Sequence, residues 1–231
     1  MRNNEPVTQQ EYVFDNDATL MSTTDPQSHI NYANDAFVQV SGFSLEELKG
    51  EPHNLVRHPD MPKEAFADMW GTLKQGEPWT ALVKNRRRNG DHYWVRANAI
   101  PVVREGRIKG YMSVRTRPAA EEVAAAETLY REFRNGQSKG RRFHKGLIIR
   151  TGLMAWRSLF VTLPLRWRLR SALIIALLFS LAAAWLHALT PGQMASFSGF
   201  MALLLLAIDI WLEQQIVRPV EHLRRQALQV A

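Results

Sequence analysis

The alternation of apolar and polar positions between residues 19 and 116 predicts an antiparallel sheet. Runs with a period of two residues are bounded by turn signals such as Asp25-Pro26 and Glu105-Gly106. Five segments of this kind are predicted as strands: 19–24, 29–33, 79–88, 92–103 and 108–116. On the last segment, the alternation alone leaves open whether Tyr111, Ser113 and Arg115 face inward.

Helical spacing occupies the stretch between the second and third predicted strands. Asn34 and Ser44 are placed to act as N-caps of two short helices, which end near Gly42 and Gly50. From Lys63 to Lys74, apolar residues recur at offsets of three and four and form one stripe: Phe66, Met69, Trp70 and Leu73. The pattern predicts short helices and one longer helix on one face of the sheet.

The register of the hairpin around Asn89-Gly90 can be predicted from the two faces that it creates. A two-residue turn would place Arg96 and Asn98 beside Trp79, which gives a badly mixed face. A three-residue loop, Asn89-Gly90-Asp91, with a left-handed glycine avoids this mixture. We expect this loop, with one face formed by Trp79, Ala81, Val83, Asn85, Tyr93, Val95, Ala97 and Ala99. The outer face is then formed by His92, Trp94, Arg96 and Asn98.

Two apolar segments, 171–189 and 194–212, are each near the ~20 residues that cross a ~30 Å hydrocarbon layer. Residues 190–193 leave room only for a tight turn. Arginines precede the first segment and follow the second: Arg166, Arg168, Arg170, Arg218, Arg224 and Arg225. The positive-inside rule therefore predicts a transmembrane hairpin with both ends in the cytoplasm. Four-three spacing then predicts a coiled-coil seam at Ile216, Val220, Leu223, Ala227 and Val230.

Composition changes this picture in three respects. The formal net charge is +7, but many of the basic residues lie between Arg131 and Arg170, which favours anionic lipid over nucleic acid as the partner. The chain has no cysteine, which excludes disulfides, cysteine-ligated metals and a flavin-cysteinyl adduct. No catalytic or phosphate-binding motif is present, so we expect a protein that is not an enzyme.

Several runs resemble the FAD-binding PAS domain of the bacterial aerotaxis receptors. They are Asn34-Asp35-Ala36-Phe37, Pro52-His53-Asn54-Leu55-Val56-Arg57-His58-Pro59-Asp60-Met61-Pro62, Phe66-Ala67-Asp68-Met69-Trp70, Gly76-Glu77-Pro78-Trp79 and Lys84-Asn85-Arg86-Arg87-Arg88-Asn89-Gly90-Asp91-His92-Tyr93-Trp94-Val95. The resemblance is strongest over residues 20–116 and extends into the membrane region. It implies an α+β PAS fold, a five-stranded antiparallel sheet with short helices, followed by a two-helix transmembrane hairpin and a short coiled-coil helix.

The implied organisation has six parts: an N-terminal cap or arm at 1–17, a PAS sensor domain at 18–118, a linker with basic interfacial segments at 119–170, transmembrane helices at 171–189 and 194–212, and the start of a HAMP helix at 213–231. In this family, respiratory redox state is read through FAD. The message passes to HAMP and a methyl-accepting signalling module, and through them to a chemotaxis kinase and its coupling protein. A homodimer is also implied.

Nine residues are candidates for the cofactor pocket. Trp79 could pack on the flavin ring, and the amide of Asn85 suits the ring's pyrimidine edge because it both donates and accepts hydrogen bonds. The Arg57 guanidinium suits a phosphate. If Arg115 points inward, its charge would stabilise an anionic, partly reduced flavin. The resemblance ties six positions to cofactor binding or to fold integrity: Asn34, His53, Arg57, His58, Asp60 and Asp68.

Other interpretations of these residues stay open. Trp79 could simply fill the core, and Asp60 and Asp68 could cap the following helix or pair with Arg57. His53 and His58 are possible ligands of heme or a metal. A PAS module could therefore bind heme or another small ligand, or act without a cofactor in dimerisation and protein contact. A flavoprotein reductase is a third alternative, but the nicotinamide-binding fingerprint that it needs is absent.

Overall fold

The computed structural model describes residues 4–152, 155–163, 167, 171, 174–176, 178–179, 182 and 191–219. The chain divides into two units, Met1–Ser158 and Leu159–Ala231. The sheet and all the candidate pocket residues belong to the first unit.

Five strands form the sheet of the first unit: β1 Leu20–Thr24, β2 Ile30–Ala33, β3 Trp79–Arg86, β4 His92–Arg104 and β5 Arg107–Thr116. Their order is β2-β1-β5-β4-β3, and each neighbouring pair is antiparallel. The segment between β2 and β3 contains the helices α1 Asp35–Ser41, α2 Leu45–Leu48 and α3 Lys63–Lys74, with a 3₁₀ turn at His53–Val56. The predicted five-stranded antiparallel sheet with short helices is confirmed.

The helix ends follow the predicted capping residues. Asn34 Oδ1 accepts the Phe37 amide at 3.0 Å, and Ser44 and Glu47 exchange hydrogen bonds in a reciprocal capping box. Gly42 ends α1 at a φ of +73°, a conformation that residues with a Cβ rarely adopt. These local signals define the boundaries of α1 and α2 without tertiary help.

The hairpin between β3 and β4 has the predicted faces but a shifted loop. Trp79 pairs with Ala99, Val83 with Val95 and Asn85 with Tyr93, so the predicted inner set shares one face. The Arg87 amide donates to the Asp91 carbonyl at 2.7 Å, and the loop is therefore Arg88-Asn89-Gly90, one residue earlier than predicted. The Asn89 side chain accepts the Asp91 amide at 3.1 Å, which places the turn before Asp91.

The outer face of this hairpin is covered, whereas the sequence analysis predicted helices on one face of the sheet only. Trp94 and His92 are buried there. Helix α4, Ala120–Arg134, lies against this face, where the Tyr130 hydroxyl donates to the Leu82 carbonyl at 2.7 Å. The N-terminal segment covers His92, whose carbonyl accepts the Tyr12 amide at 2.7 Å. The polar N-terminal residues therefore form a cap, and the sheet carries helices on both faces.

Residues 141–150 form a second, two-stranded sheet that the sequence analysis did not predict. Its strands are β6 Arg141–His144 and β7 Leu147–Arg150. Phe143 packs on Phe133 of α4 with ring centroids 4.8 Å apart. The basic residues favoured a membrane surface in the sequence analysis, but Phe143 is buried and its cross-strand partner Ile148 packs against the same core, so this side of the hairpin faces the domain.

In the described part of the second unit, one helix is long and apolar enough to cross a membrane. This helix, α6, covers Pro191–Leu212 and follows α5, Trp156–Thr162; a π-helical turn, Glu213–Val217, extends α6. The apolar stretch of 18 residues that is long enough to cross a membrane, Gly199–Ile216, runs from α6 into the π-helical turn. The helix starts at Pro191 instead of 194, because proline lacks only an amide that the first helical turn leaves unpaired. The predicted span 171–189 and the seam after Ile216 lie largely outside the described residues.

Candidate functional site

A cavity of about 310 Å³ lies between the inner face of the five-stranded sheet and the segment from the 3₁₀ turn to α3. Its volume is at the small end of the ~300–1,000 Å³ typical of ligand pockets. It is lined by Ser28, His53, Asn54, Arg57, Lys63, Phe66, Ala67, Met69, Trp70, Trp79, Val83, Asn85, Ala97, Ala99, Ser113 and Arg115. Five of the nine predicted site residues are among them: His53, Arg57, Trp79, Asn85 and Arg115.

The sheet leaves space here because two central inward positions carry only a methyl group. Ala97 and Ala99 are paired with Ala81 and Trp79 across the hairpin, so no large side chain projects from the middle of β4. Trp79 is 1% exposed and forms one wall, with its indole nitrogen donating to Asp68 Oδ2 at 2.8 Å. The cavity therefore has an aromatic wall at Trp79 and no large side chain at the two alanines of β4, an arrangement that suits a flat ring.

Arg115 points into the cavity, so the inward set on β5 contains Ser113 and Arg115. Its Nη2 donates to Ser22 Oγ at 3.0 Å and lies 2.7 Å from His53 Nε2. Burial lowers the pKa of Arg115 to about 10, so the guanidinium stays charged at neutral pH. Among the described residues, Arg115 Nη1 has no hydrogen-bond partner. A buried cationic donor without a partner is costly, which indicates a ligand that accepts its hydrogen bond.

His53 is a neutral acceptor in this arrangement. Burial and the neighbouring Arg115 lower the pKa of His53 to about 3. Its Nε2 therefore accepts from the guanidinium, while its ring stacks on Phe37 with centroids 6.2 Å apart. A nitrogen that already accepts this bond is a poor ligand for heme iron. Among the described residues, no group of three His, Cys, Asp or Glu side chains could hold a metal ion.

Arg57 and Asn85 are neighbours at another part of the wall. An isolated antiparallel bridge joins them, so the central loop, residues 49–62 between α2 and α3, continues the sheet beyond β3. The Arg57 Nη2 donates to the Met61 carbonyl at 3.1 Å, and its guanidinium carbon lies 3.9 Å from the Phe66 ring centroid. Burial lowers the pKa of Arg57 to about 10, which leaves it charged at neutral pH. A cation, an amide and an aromatic ring thus converge on one side of the cavity.

The other four predicted residues lie outside the cavity lining. Asn34 caps α1 and also accepts the Met21 amide at 2.9 Å, so it joins α1 to β1. His58 is fully buried beside His92, with ring centroids 5.6 Å apart. Asp60 pairs with Lys84, and Asp68 accepts the Trp79 indole. Neither aspartate caps α3, whose N-cap is Pro62, and neither pairs with Arg57.

Asp60 belongs to a buried charge cluster on the outer side of the sheet. Lys84 Nζ lies 3.0 Å from Asp60 Oδ2 and 3.1 Å from Glu127 Oε1, and the Lys84 side chain is only 2% exposed. The cluster joins the central loop, β3 and α4. The sequence analysis did not predict a role for Lys84, although a lysine in the middle of an apolar strand indicates a buried and paired charge.

Sequence reasoning also missed part of the cavity wall. Phe66, Met69 and Trp70 were predicted as the apolar stripe of α3, and they do face inward, but they line the cavity. Lys63 and Ser113 add polar groups that no motif indicated. Helical spacing predicted the direction of Phe66, Met69 and Trp70, but the alternation on β5 left the direction of Ser113 open. The empty space between these side chains depends on the fold.

Residues 30–115 match a family model described as the PAS fold. The chain is 56% identical over 225 residues to the aerotaxis receptor of Escherichia coli strain K12, an alignment that covers 97% of this chain and 43% of the receptor. It is 32% identical over 119 residues to a nitrogen fixation regulatory protein of Klebsiella oxytoca, covering 51% of this chain and 23% of that protein. The resemblance read from the sequence is confirmed, and the chain spans less than half the length of these relatives.

Among solved structures, the dark structure of the blue-light photoreceptor Aureochrome1 LOV aligns with a TM-score of 0.43 and 20% identity. The alignment covers 51% of this chain and 86% of that one. A likeness at this level carries no argument about function.

Proposed function

We propose that this chain, which contains a PAS domain, is the sensing and membrane-anchoring part of an aerotaxis-type receptor that reads redox state through a flavin, FAD. The observation that carries the proposal is 56% identity to an aerotaxis receptor over 97% of this chain. At that coverage, the similarity includes the sheet, the cavity, α4 and the apolar helix.

The cavity residues fit a flavin. The isoalloxazine ring needs an apolar slot, which Trp79, Val83, Ala97 and Ala99 supply. The amide of Asn85 can donate and accept at the ring's polar edge. The unpartnered Nη1 of Arg115 is a donor without an acceptor among the described residues, and a flavin carbonyl would satisfy it.

Each wall residue then has a distinct task. Trp79 holds the ring plane, Asn85 orients the ring, and Arg57 and Lys63 attract the pyrophosphate. Arg115 supplies positive charge, and the neutral His53 fixes the guanidinium in place through Nε2. A bound flavin supplies reversible electron transfer, and no substrate is converted.

The same similarity is the basis on which we propose membrane insertion and the signalling partners. In this proposal, α6 and the segment at 171–189 form a transmembrane hairpin in the bacterial inner membrane, with both ends in the cytoplasm. The rings of Phe179 and Phe200 lie 5.7 Å apart, which supports pairing of the two segments. The receptor acts as a homodimer and passes its message through HAMP to a methyl-accepting signalling module, a chemotaxis kinase and a coupling protein.

The cofactor is tested by purifying the chain in detergent, recording its absorbance before and after dithionite, and identifying the released molecule by chromatography. We expect flavin bands that bleach and return in air, with FAD released. The Asn85→Ala variant should lose most of the flavin. Asn98→Ala is its matched control, because Asn98 lies on the outer face of the same hairpin and accepts from Thr80 Oγ1 at 3.0 Å. A heme Soret band or a colourless folded protein would reject the proposal.

The receptor function is tested with a chimera. This chain replaces the aligned portion of the Escherichia coli aerotaxis receptor in cells that lack their own. We expect the cells to swarm along an oxygen gradient, and the Asn85→Ala chimera not to. Equal swarming by both chimeras would show that the cavity is not the sensor.

A further inference from the structure

One carboxylate joins the cavity wall to the β6–β7 hairpin. Asp68 Oδ2 accepts the Trp79 indole N–H at 2.8 Å and the Gly146 amide at 2.7 Å, while Oδ1 accepts the Lys145 amide at 2.9 Å. Lys145 and Gly146 are the two residues that connect β6 to β7. Three donors from two separate elements therefore depend on a single side chain in the middle of α3.

The tip of the hairpin is also in close contact with β3. Gly146 has a φ of +83°, and a Cβ at this position would lie 1.9 Å from the Thr80 carbonyl oxygen. The Lys145 ammonium forms an ion pair with Glu77, two residues before Trp79. The hairpin thus docks on the stretch of chain that begins β3 and carries the cavity wall.

Trp79 cannot change its position without affecting this docking site. Its indole is buried and shares one oxygen of Asp68 with the Gly146 amide. Hydrogen bonds to a charged acceptor are stronger than neutral ones, and their strength falls steeply with poor geometry. A ligand that contacts the ring from the cavity side changes the geometry of the hydrogen bond that the indole N–H donates to Asp68, and therefore its strength.

We propose that Asp68 is a positioning residue that transmits the state of the cavity to the β6–β7 hairpin, which makes this hairpin the output element of the sensor domain. The inference rests on the proposed function only in that the cavity holds a redox-active ligand. The docking itself requires no cofactor, so the two parts can be tested separately.

Docking is tested by hydrogen exchange and mass spectrometry on the whole chain in lipid nanodiscs, with peptides that cover residues 141–150. We expect Asp68→Asn to accelerate exchange at Lys145 and Gly146 by about tenfold, because the amides lose a charged acceptor. Glu64→Gln is the matched control: it is another α3 carboxylate, and it makes none of these three hydrogen bonds. Unchanged exchange in Asp68→Asn would overturn the docking role.

A second variant releases the hairpin without altering Asp68 or the cavity. Gly146→Ala places a methyl group against Thr80, so we expect faster exchange over 141–150 with the bound flavin retained. Gly140→Ala is its control, because Gly140 also has a positive φ of +70° but its added Cβ would come no nearer than 3.6 Å to Thr151 Oγ1. Equal effects of the two alanines would show that only backbone strain matters and would contradict the docking.

Transmission is tested by repeating the exchange measurement after dithionite reduction. We expect reduction to change exchange at the hairpin tip about threefold or more in the unaltered chain, a difference well within the range of one hydrogen bond. In Asp68→Asn the flavin should still bleach, but the exchange at the hairpin tip should no longer respond to reduction. A response that persists in Asp68→Asn overturns the route through Asp68. If the chain binds no flavin, the proposed function fails, while the exchange of Asp68→Asn still decides the docking.

Discussion

The two faces of the five-stranded sheet each carry a buried cation, and the two cations differ in their partners. On the inner face, Arg115 is 2% exposed, and its Nη1 has no partner among the described residues. On the outer face, Lys84 is equally buried but pairs with Asp60 and Glu127. The first charge borders a cavity, and the second lies between the sheet and α4.

This difference distinguishes a ligand-binding site from a charge cluster that holds elements of the fold together. Desolvating a cation costs several kcal/mol unless a partner compensates it. Lys84 has its partners within the chain, so its cluster holds α4 and the central loop to β3. The Nη2 of Arg115 bonds to Ser22 and His53, but its Nη1 has no acceptor among the described residues, so the inner face is complete only when a ligand supplies one.

Removing one partner of Lys84 should destabilise the domain most. Asp60→Ala leaves a buried lysine with Glu127 alone, and we expect the free energy of unfolding to fall by about 3 kcal/mol. The measurement is urea unfolding of the chain in nanodiscs, followed by tryptophan fluorescence. Lys84→Met is the control: it removes the charge at similar size and leaves two partly exposed carboxylates to water, so it should cost less. A larger loss in Lys84→Met would contradict the structural role of the pair.

Removing the charge of Arg115 should weaken ligand binding far more than stability. We expect Arg115→Met to raise the dissociation constant for flavin about tenfold to a hundredfold, the value of one charged hydrogen bond. Arg107→Met, an exposed position on the same strand, should leave the constant unchanged. Both are measured by fluorescence titration of the flavin-free chain. Equal dissociation constants for flavin in Arg115→Met and in the unaltered chain would contradict the role of Arg115 in ligand binding.

The outer face should make stability depend on pH. Burial, and then the charge of Lys84, lowers the pKa of His58 from 6.5 to about 4, and the pKa of His92 is lowered for the same reasons. Asp60 and Glu127 oppose these shifts for His92, and Arg134 adds to the shift of His58. Between pH 6.5 and about 4, the unfolded chain binds a proton at His58 that the folded domain does not bind.

Stability should therefore fall as the pH falls through this window, by about 1.4 kcal/mol per pH unit for each such histidine. The slope is measured by urea unfolding at a series of pH values. His58→Gln should reduce this slope by the contribution of one proton. A slope that His58→Gln leaves unchanged would place the titration elsewhere.

A single neutral hydrogen bond on the outer face should have the smallest effect. Tyr130→Phe removes the donor to the Leu82 carbonyl, and we expect a loss of about 1 kcal/mol in unfolding free energy. Tyr32→Phe, on the exposed edge strand β2, serves as control. If Tyr130→Phe cost as much as Asp60→Ala, α4 would be held by this bond and not by the charge cluster.

The alternation of side chains predicted the fold closely because register and burial are coupled in a hairpin. It placed Trp79, Val83, Asn85 and Ala97 on one face correctly, since a shift of one residue would have exposed all of them. The loop was misplaced by one residue because a shift of two positions in pairing preserves the faces. The Arg87–Asp91 backbone bond, the Asn89 side-chain bond and the packing of the N-terminal cap on Gly90 belong to the observed loop.

The candidate site was less accessible to the same reasoning. Conspicuous residues of the central loop were all considered for the pocket, but the 3₁₀ turn directs His53 and Arg57 to the cavity while His58 and Asp60 point to the outer face. Four residues thus divide between two sites that lie on opposite sides of one sheet. No spacing rule for helices or strands applies to such a loop, so its side-chain directions had to come from the structure.

Local sequence patterns were enough to predict the five strands of the main sheet, the helices α1 to α3, the inward set of the central hairpin, the caps at Asn34 and Ser44, and the apolar length of α6. These depend on neighbours within a few residues and on a fixed period of side-chain direction. The tertiary structure alone decided that Lys84 meets Glu127, that α4 and the N-terminal cap cover the outer face, and that Asp68 joins Trp79 to the β6–β7 hairpin. Those contacts link segments tens of residues apart, and their geometry exists only once the chain has folded.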